Sequence, residues 1–261
     1  MIFELIFLFI AGFFGGTLNS IAGGGTFITF PALLFVGVPP IVANATNTFA
    51  SCSGYISGTF AFRHDLKSYK RELPKFIIFS FLGGILGAWL LLRTPEKIFS
   101  EIIPWLMLIA TFIFVYGTKI NKQLELLAIK NKHISTVGKV STTLLLLLIC
   151  FYGGFFNAGL GIICLSYLAL CGYTNVSSMN GLKLLISSCV SVVAIVLFAY
   201  SGSIAWTQGI AVLIGTLTGG YLAARISRNL SQVYIRAFIT LIGIFITLYF
   251  FYDFYWPKPK T

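Results

Sequence analysis

A polar, glycine-rich interruption occurs twice in this chain, and it restricts what the chain can become more than any other feature. The first copy is Gly15-Gly16-Thr17-Leu18-Asn19-Ser20-Ile21-Ala22-Gly23-Gly24-Gly25-Thr26, and the second is Gly153-Gly154-Phe155-Phe156-Asn157-Ala158-Gly159-Leu160-Gly161. The pattern G-G-x-x-N-[S/A]-x-x-G returns at an offset of 138 residues, so the second half restates the first. Both copies interrupt apolar sequence. A helix broken inside a bilayer must find new partners for its freed backbone groups, and that is tolerated only where protein or water surrounds it. Each break is therefore a candidate site.

The surroundings of the breaks are those of a membrane protein. Of the 261 residues 57% are hydrophobic and 10% charged, against about 25% charged in an ordinary soluble domain, and the mean hydropathy is +0.93. Continuous apolar runs at 76–92, 144–151 and 192–200 leave no room for a soluble domain. The net charge of +11 sits in short basic clusters between apolar segments, where it reads as a topology signal, so nucleic acid is not an expected partner. Cys52, Cys150, Cys164, Cys171 and Cys189 form no C-x-x-C and fall in or beside apolar segments, which suits reduced, buried thiols and no metal. The first residues lack a basic n-region and run into the first break, as a membrane element does and a cleavable signal does not.

A spanning helix needs about 20 apolar residues. The first half divides into elements at 3–19, 26–37, 41–61, 74–93 and 101–118, and the second into 141–157, 161–172, 177–200, 205–225 and 233–255. The second element of each half has about 12 residues and reaches only partway across, at about 1.5 Å per residue; it reads as a half-helix or part of a re-entrant hairpin. Phe60-Ala61-Phe62 against Phe198-Ala199-Tyr200, and Gly83-Gly84 against Gly219-Gly220, extend the repeat beyond the breaks. Three regions follow: a first membrane repeat at 1–118, a basic cytoplasmic linker at 119–140 and a second membrane repeat at 141–261.

Loop charge sets the orientation. Segment 63–75 carries Arg63, Lys67, Lys70, Arg71 and Lys75 against Asp65 and Glu72, whereas its counterpart at 201–205 is uncharged. Segment 93–101 is balanced, and its counterpart holds Arg225, Arg228 and Arg236 without an acid. Equivalent loops with opposite bias lie on opposite membrane faces by the positive-inside rule. The expected fold is an all-α polytopic membrane protein of two inverted-topology repeats, each a broken or re-entrant helix hairpin plus three spanning helices.

The third element of each half adds a polar stripe. Asn44, Asn47 and Ser51 recur as Asn180, Lys183 and Ser187 at an offset of 136, and the i, i+3, i+7 spacing puts each trio on one helix face. Small and polar residues also serve as glue between helices, but their joint recurrence at related places favours a binding site. Lys183 is the sharpest residue, since a lysine within a span is costly unless paired or snorkelling. One reading lets it snorkel to the surface; the favoured one has it face an aqueous cavity and attract an anion. Half-helix N-termini at the breaks would add positive potential. The expected substrate-binding set is Asn19, Gly23, Gly24, Gly25, Thr26, Asn44, Asn47, Ser51, Asn157, Gly159, Gly161, Asn180, Lys183 and Ser187. All seven acids lie in loops or near span ends and there is no P-loop, so neither a mid-membrane proton relay, ATP hydrolysis nor an enzymatic centre is expected.

With those residues in view, the segment 12–31 followed by Gly37 and Asn44-Ala45-Thr46-Asn47, and the segment 153–161 followed by Gly172 and Asn180-Gly181-Leu182-Lys183, resemble the TauE/SafE sulfite/sulfonate exporter family over nearly the whole chain. The resemblance implies a multi-pass permease of the cytoplasmic membrane that moves sulfite, sulfonates, sulfoacetate or related anions outward. It calls for no cofactor. Expected partners are a small anionic substrate and the lipid bilayer, with a homodimer left open. An anion channel and a non-transporting accessory membrane protein are the alternatives.

Overall fold

The computed structural model describes residues 2–21, 24–130, 136–226 and 232–256, and no strand occurs among them. The helices are α1 Ile2–Ile21, α2 Thr26–Phe35, α3 Pro40–Ala61, the single turn α4 Arg63–Leu66, α5 Leu73–Arg93, α6 Glu96–Lys130, α7 Thr136–Phe155, α8 Leu160–Leu170, α9 Val176–Tyr200, α10 Trp206–Ile226 and α11 Gln232–Tyr255. A 3-10 turn follows α4 at Lys67–Tyr69. Boundaries fall close to the expected ones, with three departures. The charged segment after α3 is partly helical, α6 begins at Glu96 and continues to Lys130, and α7 begins at Thr136, so both run into the segment read as linker.

Local chemistry accounts for the punctuation. Both short helices, α2 and α8, stop at a glycine with positive φ, Gly37 at 81° and Gly172 at 86°. In each, the glycine N–H and the next N–H bond back to carbonyls three and five residues earlier: Gly37 to Leu34 and Val38 to Leu33, Gly172 to Ala169 and Tyr173 to Leu168. This left-handed stop favours glycine because a Cβ strains it. Pro40 then opens α3, where a missing N–H costs nothing.

Among the described residues, four helices are long and apolar enough to cross a membrane: Ile2–Asn19, Leu73–Arg93, Glu96–Gly117 and Val176–Tyr200. At 22 residues α3 has the length but not the apolarity, because Asn44, Thr46, Asn47, Thr48 and Ser51 are all buried along it. Such a helix is stable only inside the bundle. The outside is the reverse, with Phe3, Ile78, Leu82, Phe112, Leu241 and Phe245 exposed. A surface of that kind belongs in lipid; this is a membrane protein. Trp89, Trp105, Trp206 and Trp256 are all exposed, and the Trp105 indole donates to the Tyr255 hydroxyl at 3.0 Å.

The packing is reciprocal between the two halves of the chain. Helix α1 packs most extensively on α10 and α7 on α5; α3 packs on α9, α6 on α8 and α2 on α11. The first two seams are backbone contacts through glycine. Gly12 and Gly16 abut Val212 and Thr216 while Gly215 and Gly219 abut Phe9 and Phe13; Gly83 and Gly87 abut α7, and Gly154 abuts Gly84. A Cβ at any of these would meet main-chain atoms. Small residues let helices approach where lipid offers no hydrophobic drive.

Candidate functional site: two helix breaks and the polar faces between them

At the first break α1 ends at Ile21 and α2 begins after Gly24 and Gly25. Gly25 caps α2 in right-handed geometry, with no side-chain cap. Asn19 is half-buried on the last turn of α1. A Cβ on Gly25 would lie 2.9 Å from the Asn19 Cβ, so the two helix ends press together there. The Asn19 Nδ2 lies beside Gly54 of α3. Gly24, Gly25 and Thr26 are buried, and Gly23 lies outside the described residues.

At the second break Asn157 is 2% exposed and takes the left-handed conformation, φ 61°, uncommon outside glycine. Gly159 follows at φ 75° as the cap of α8, again without a side-chain cap. Three side chains hold this turn. The Tyr55 hydroxyl donates to Asn157 Oδ1 at 3.4 Å, Asn157 Nδ2 donates to Ser191 Oγ at 3.2 Å, and the Tyr152 hydroxyl donates to the Ala158 carbonyl at 2.7 Å.

The polar faces of α3 and α9 connect to both breaks. Asn44 Nδ2 donates to the Phe155 carbonyl at 2.9 Å, at the end of α7. Thr29 of α2 sits 2.5 Å from Asn47 Oδ1 and 3.2 Å from the Gly25 carbonyl oxygen, and its one proton serves either. Phe30 of α2 packs edge-on against Phe156 of the second break, ring centroids 5.5 Å apart. Both breaks therefore share one core with α3 between them. Asn44 Oδ1 and Asn47 Nδ2 are buried without a hydrogen-bond partner among the described residues. Each such group costs about 1–3 kcal/mol, so this face carries polar capacity that the protein's own packing does not use. Ser51 is buried one turn further along.

On α9 the Lys183 ammonium donates to Asn180 Oδ1 at 3.0 Å. The lysine stem lies across the start of α8: a Cβ on Gly161 would stand 3.3 Å from Lys183 Cδ. Lys183 forms no ion pair among the described residues. Ser187 is buried and Asn180 half-buried. No hydrogen bond joins Lys183 to the first break among the described residues, so the lysine belongs to the second. No metal-binding group of His, Cys, Asp or Glu occurs among the described residues, and the five cysteines are free.

Tyr55, Ser191 and Tyr152 are absent from the expected set. The signal for two of them was present. Extending the stripe by one helical turn takes Asn44, Asn47 and Ser51 on to Tyr55, and Asn180, Lys183 and Ser187 on to Ser191, at the same offset of 136. Equivalent positions of α3 and α9 thus meet at Asn157.

Comparison with known proteins places the chain among membrane transporters. The profile of the family described as sulfite exporter TauE/SafE matches residues 8–250. The chain is 28% identical to a probable membrane transporter protein of Haemophilus influenzae, covering 97% of this chain and 96% of the relative. It is 30% identical to the probable membrane transporter protein ORF9 of Sinorhizobium sp, covering 92% and 89%. It is 27% identical to the probable membrane transporter protein YfcA of Escherichia coli K12, covering 94% and 89%. No solved structure gives a significant match. A family match over residues 8–250, with relatives matched over about nine-tenths or more of their own length, means that the chain belongs to the TauE/SafE sulfite exporter family of membrane transporters.

Proposed function

We propose that the protein is a secondary transporter or uniporter that exports a small sulfur oxyanion of the sulfite, sulfonate or sulfoacetate type across the cytoplasmic membrane, where it is a multi-pass protein. The anion is held at mid-membrane between the two breaks and the polar faces of α3 and α9. The observation that carries this reading is Lys183. It is an ammonium on the eighth residue of a candidate span, laid over Gly161 at the start of a short helix and bonded only to a neutral amide among the described residues. A lysine in a span costs about 2.5–3.5 kcal/mol, and an anionic ligand offsets that cost directly. The uncapped starts of α2 and α8 add partial positive charge, and the spare Asn44 oxygen and Asn47 amide supply neutral hydrogen bonding.

The frame for this site is a pair of inverted repeats, residues 1–118 and 141–261, joined by a cytoplasmic linker at 119–140. Support comes from the reciprocal pairing of α1 with α10 and α7 with α5, and from the opposite charge bias of equivalent loops. Repeats of this kind place substrate sites at broken helices and alternate access by rocking one half against the other. Export needs no coupling ion in principle, because an inside-negative potential favours anion efflux by about 2.3 kcal/mol per charge per 100 mV.

The test is flux in proteoliposomes loaded with sulfite, a sulfonate or a carboxylate control, with and without an imposed potential. Saturable sulfur-oxyanion flux that follows the potential supports the reading. Flux that never saturates would indicate a channel, and no flux of any anion, together with no thermal stabilisation by one, would indicate an accessory protein. Asn19→Leu should lower the flux by removing the polar group of the first break.

A further inference from the structure

Away from the breaks, a cavity of about 470 Å³ opens where the C-terminal end of α3 meets α4, α5 and α9. Its walls are Ile56, Phe60, Leu66 and Leu73 together with the apolar stems of Arg63, Lys67 and Lys70, whose charged ends lie beyond the cavity lining. Ile56 is 50% and Phe60 65% exposed, so the apolar wall continues onto the lipid-facing surface of the bundle. Thr59 and Ser188 also line it, and their hydroxyls are 3.1 Å apart and bond to each other. The Arg63 guanidinium lies 4.3 Å over the Phe60 ring and donates to the Phe60 carbonyl at 3.0 Å. Two acids are close in sequence: Asp65 sits on α4, and Glu72 is bonded by the Tyr173 hydroxyl. Neither forms an ion pair with Arg63, Lys67 or Lys70 among the described residues.

We infer that this cavity is a binding site for an anionic phospholipid, with the headgroup phosphate against Arg63, Lys67 and Lys70 and an acyl chain along Ile56, Phe60 and Leu73. A small free oxyanion would meet cations only at the border and leave the apolar walls unfilled. A zwitterionic lipid would fill the walls but bring no net charge to three cations. An anionic lipid matches both, and basic clusters at the end of a span attract such headgroups. The inference does not depend on the transport reading, since it concerns other residues and can be read without flux.

The test uses the purified full chain in a neutral detergent, with thermal unfolding and native mass spectrometry as readouts. Titration with phosphatidylglycerol is compared with phosphatidylcholine, inorganic phosphate and glycerophosphoglycerol, the headgroup without its chains. Phosphatidylglycerol alone should stabilise the protein and remain bound. Lys67→Gln with Lys70→Gln should weaken that binding by roughly tenfold or more, at about fivefold per basic residue. Leu73→Trp, which fills the cavity and keeps the cations, should weaken it as well. Matching unfolding midpoints without lipid establish that the variants fold, and Leu73→Trp provides the reading if the double variant does not. Equal stabilisation by phosphatidylcholine, an equal effect of inorganic phosphate, or unchanged phosphatidylglycerol binding in the folded variants would overturn the inference.

Discussion

At the second break Asn157 is buried, left-handed and bonded to Tyr55 and Ser191, and Tyr152 clamps the next carbonyl. At the first, Asn19 is half-buried at the end of a regular helix, and a right-handed Gly25 opens the next one. The same residue pattern has thus produced one turn tied by side chains and another whose helix ends meet through glycine. The charge is divided in the same way. Lys183 lies over the second break, whereas its equivalent on α3 is Asn47, a neutral side chain paired with Thr29. A duplicated sequence therefore does not mean duplicated duties. In the transport reading proposed above, the second break then carries the positive charge of the shared site and the first contributes neutral contacts.

The sharpest way to break this comparison is Asn157→Leu. A branched residue in the left-handed region costs about 1–2 kcal/mol, and two lost interhelical hydrogen bonds add about 0.6–1 kcal/mol each. A loss of about 3 kcal/mol is expected in denaturant unfolding in detergent; a loss under about 1 kcal/mol would mean the turn is not held by this residue. Next in size is Lys183→Met. Loss of one charge-assisted contact should weaken sulfite binding by about 10- to 100-fold, read as the sulfite-dependent shift in unfolding temperature. The protein itself should be no less stable, since a charge with no ionic partner among the described residues has been removed from within a span. Tyr152→Phe removes one hydroxyl contact and should cost about 1 kcal/mol or less, visible as faster amide exchange at 156–159. Asn19→Leu should change stability by no more than about 0.5 kcal/mol while lowering flux; a stability loss equal to that of Asn157→Leu would erase the distinction between the breaks.

Much of the fold was legible because bilayer chemistry writes it in long apolar runs. The starts and stops of α2, α3, α8 and α9 are marked by glycine, proline and the Asn175 cap, whose side chain accepts from the Ser178 N–H. The run of α6 past residue 118 was not legible by that criterion. The apolar signal ends near Gly117, but Lys, Gln, Leu and Glu are strong helix formers and their propensity continues the helix. At the site, the breaks and the stripes were visible as polar residues in apolar surroundings. Tyr152 was not, because its position in the first copy is Phe14 and only the hydroxyl distinguishes them. The partition of charge was visible as a lysine facing an asparagine across the repeat, but which break that lysine serves depends on its stem crossing Gly161, a contact between α8 and α9.

The most direct test of the central claim is sulfite counterflow in proteoliposomes carrying either the native chain or Lys183→Met, at matched protein content and with folding verified by unfolding temperature. The account predicts saturable counterflow in the native vesicles and a loss of at least about tenfold in apparent affinity in the variant. Counterflow of undiminished affinity in a folded Lys183→Met protein would contradict it.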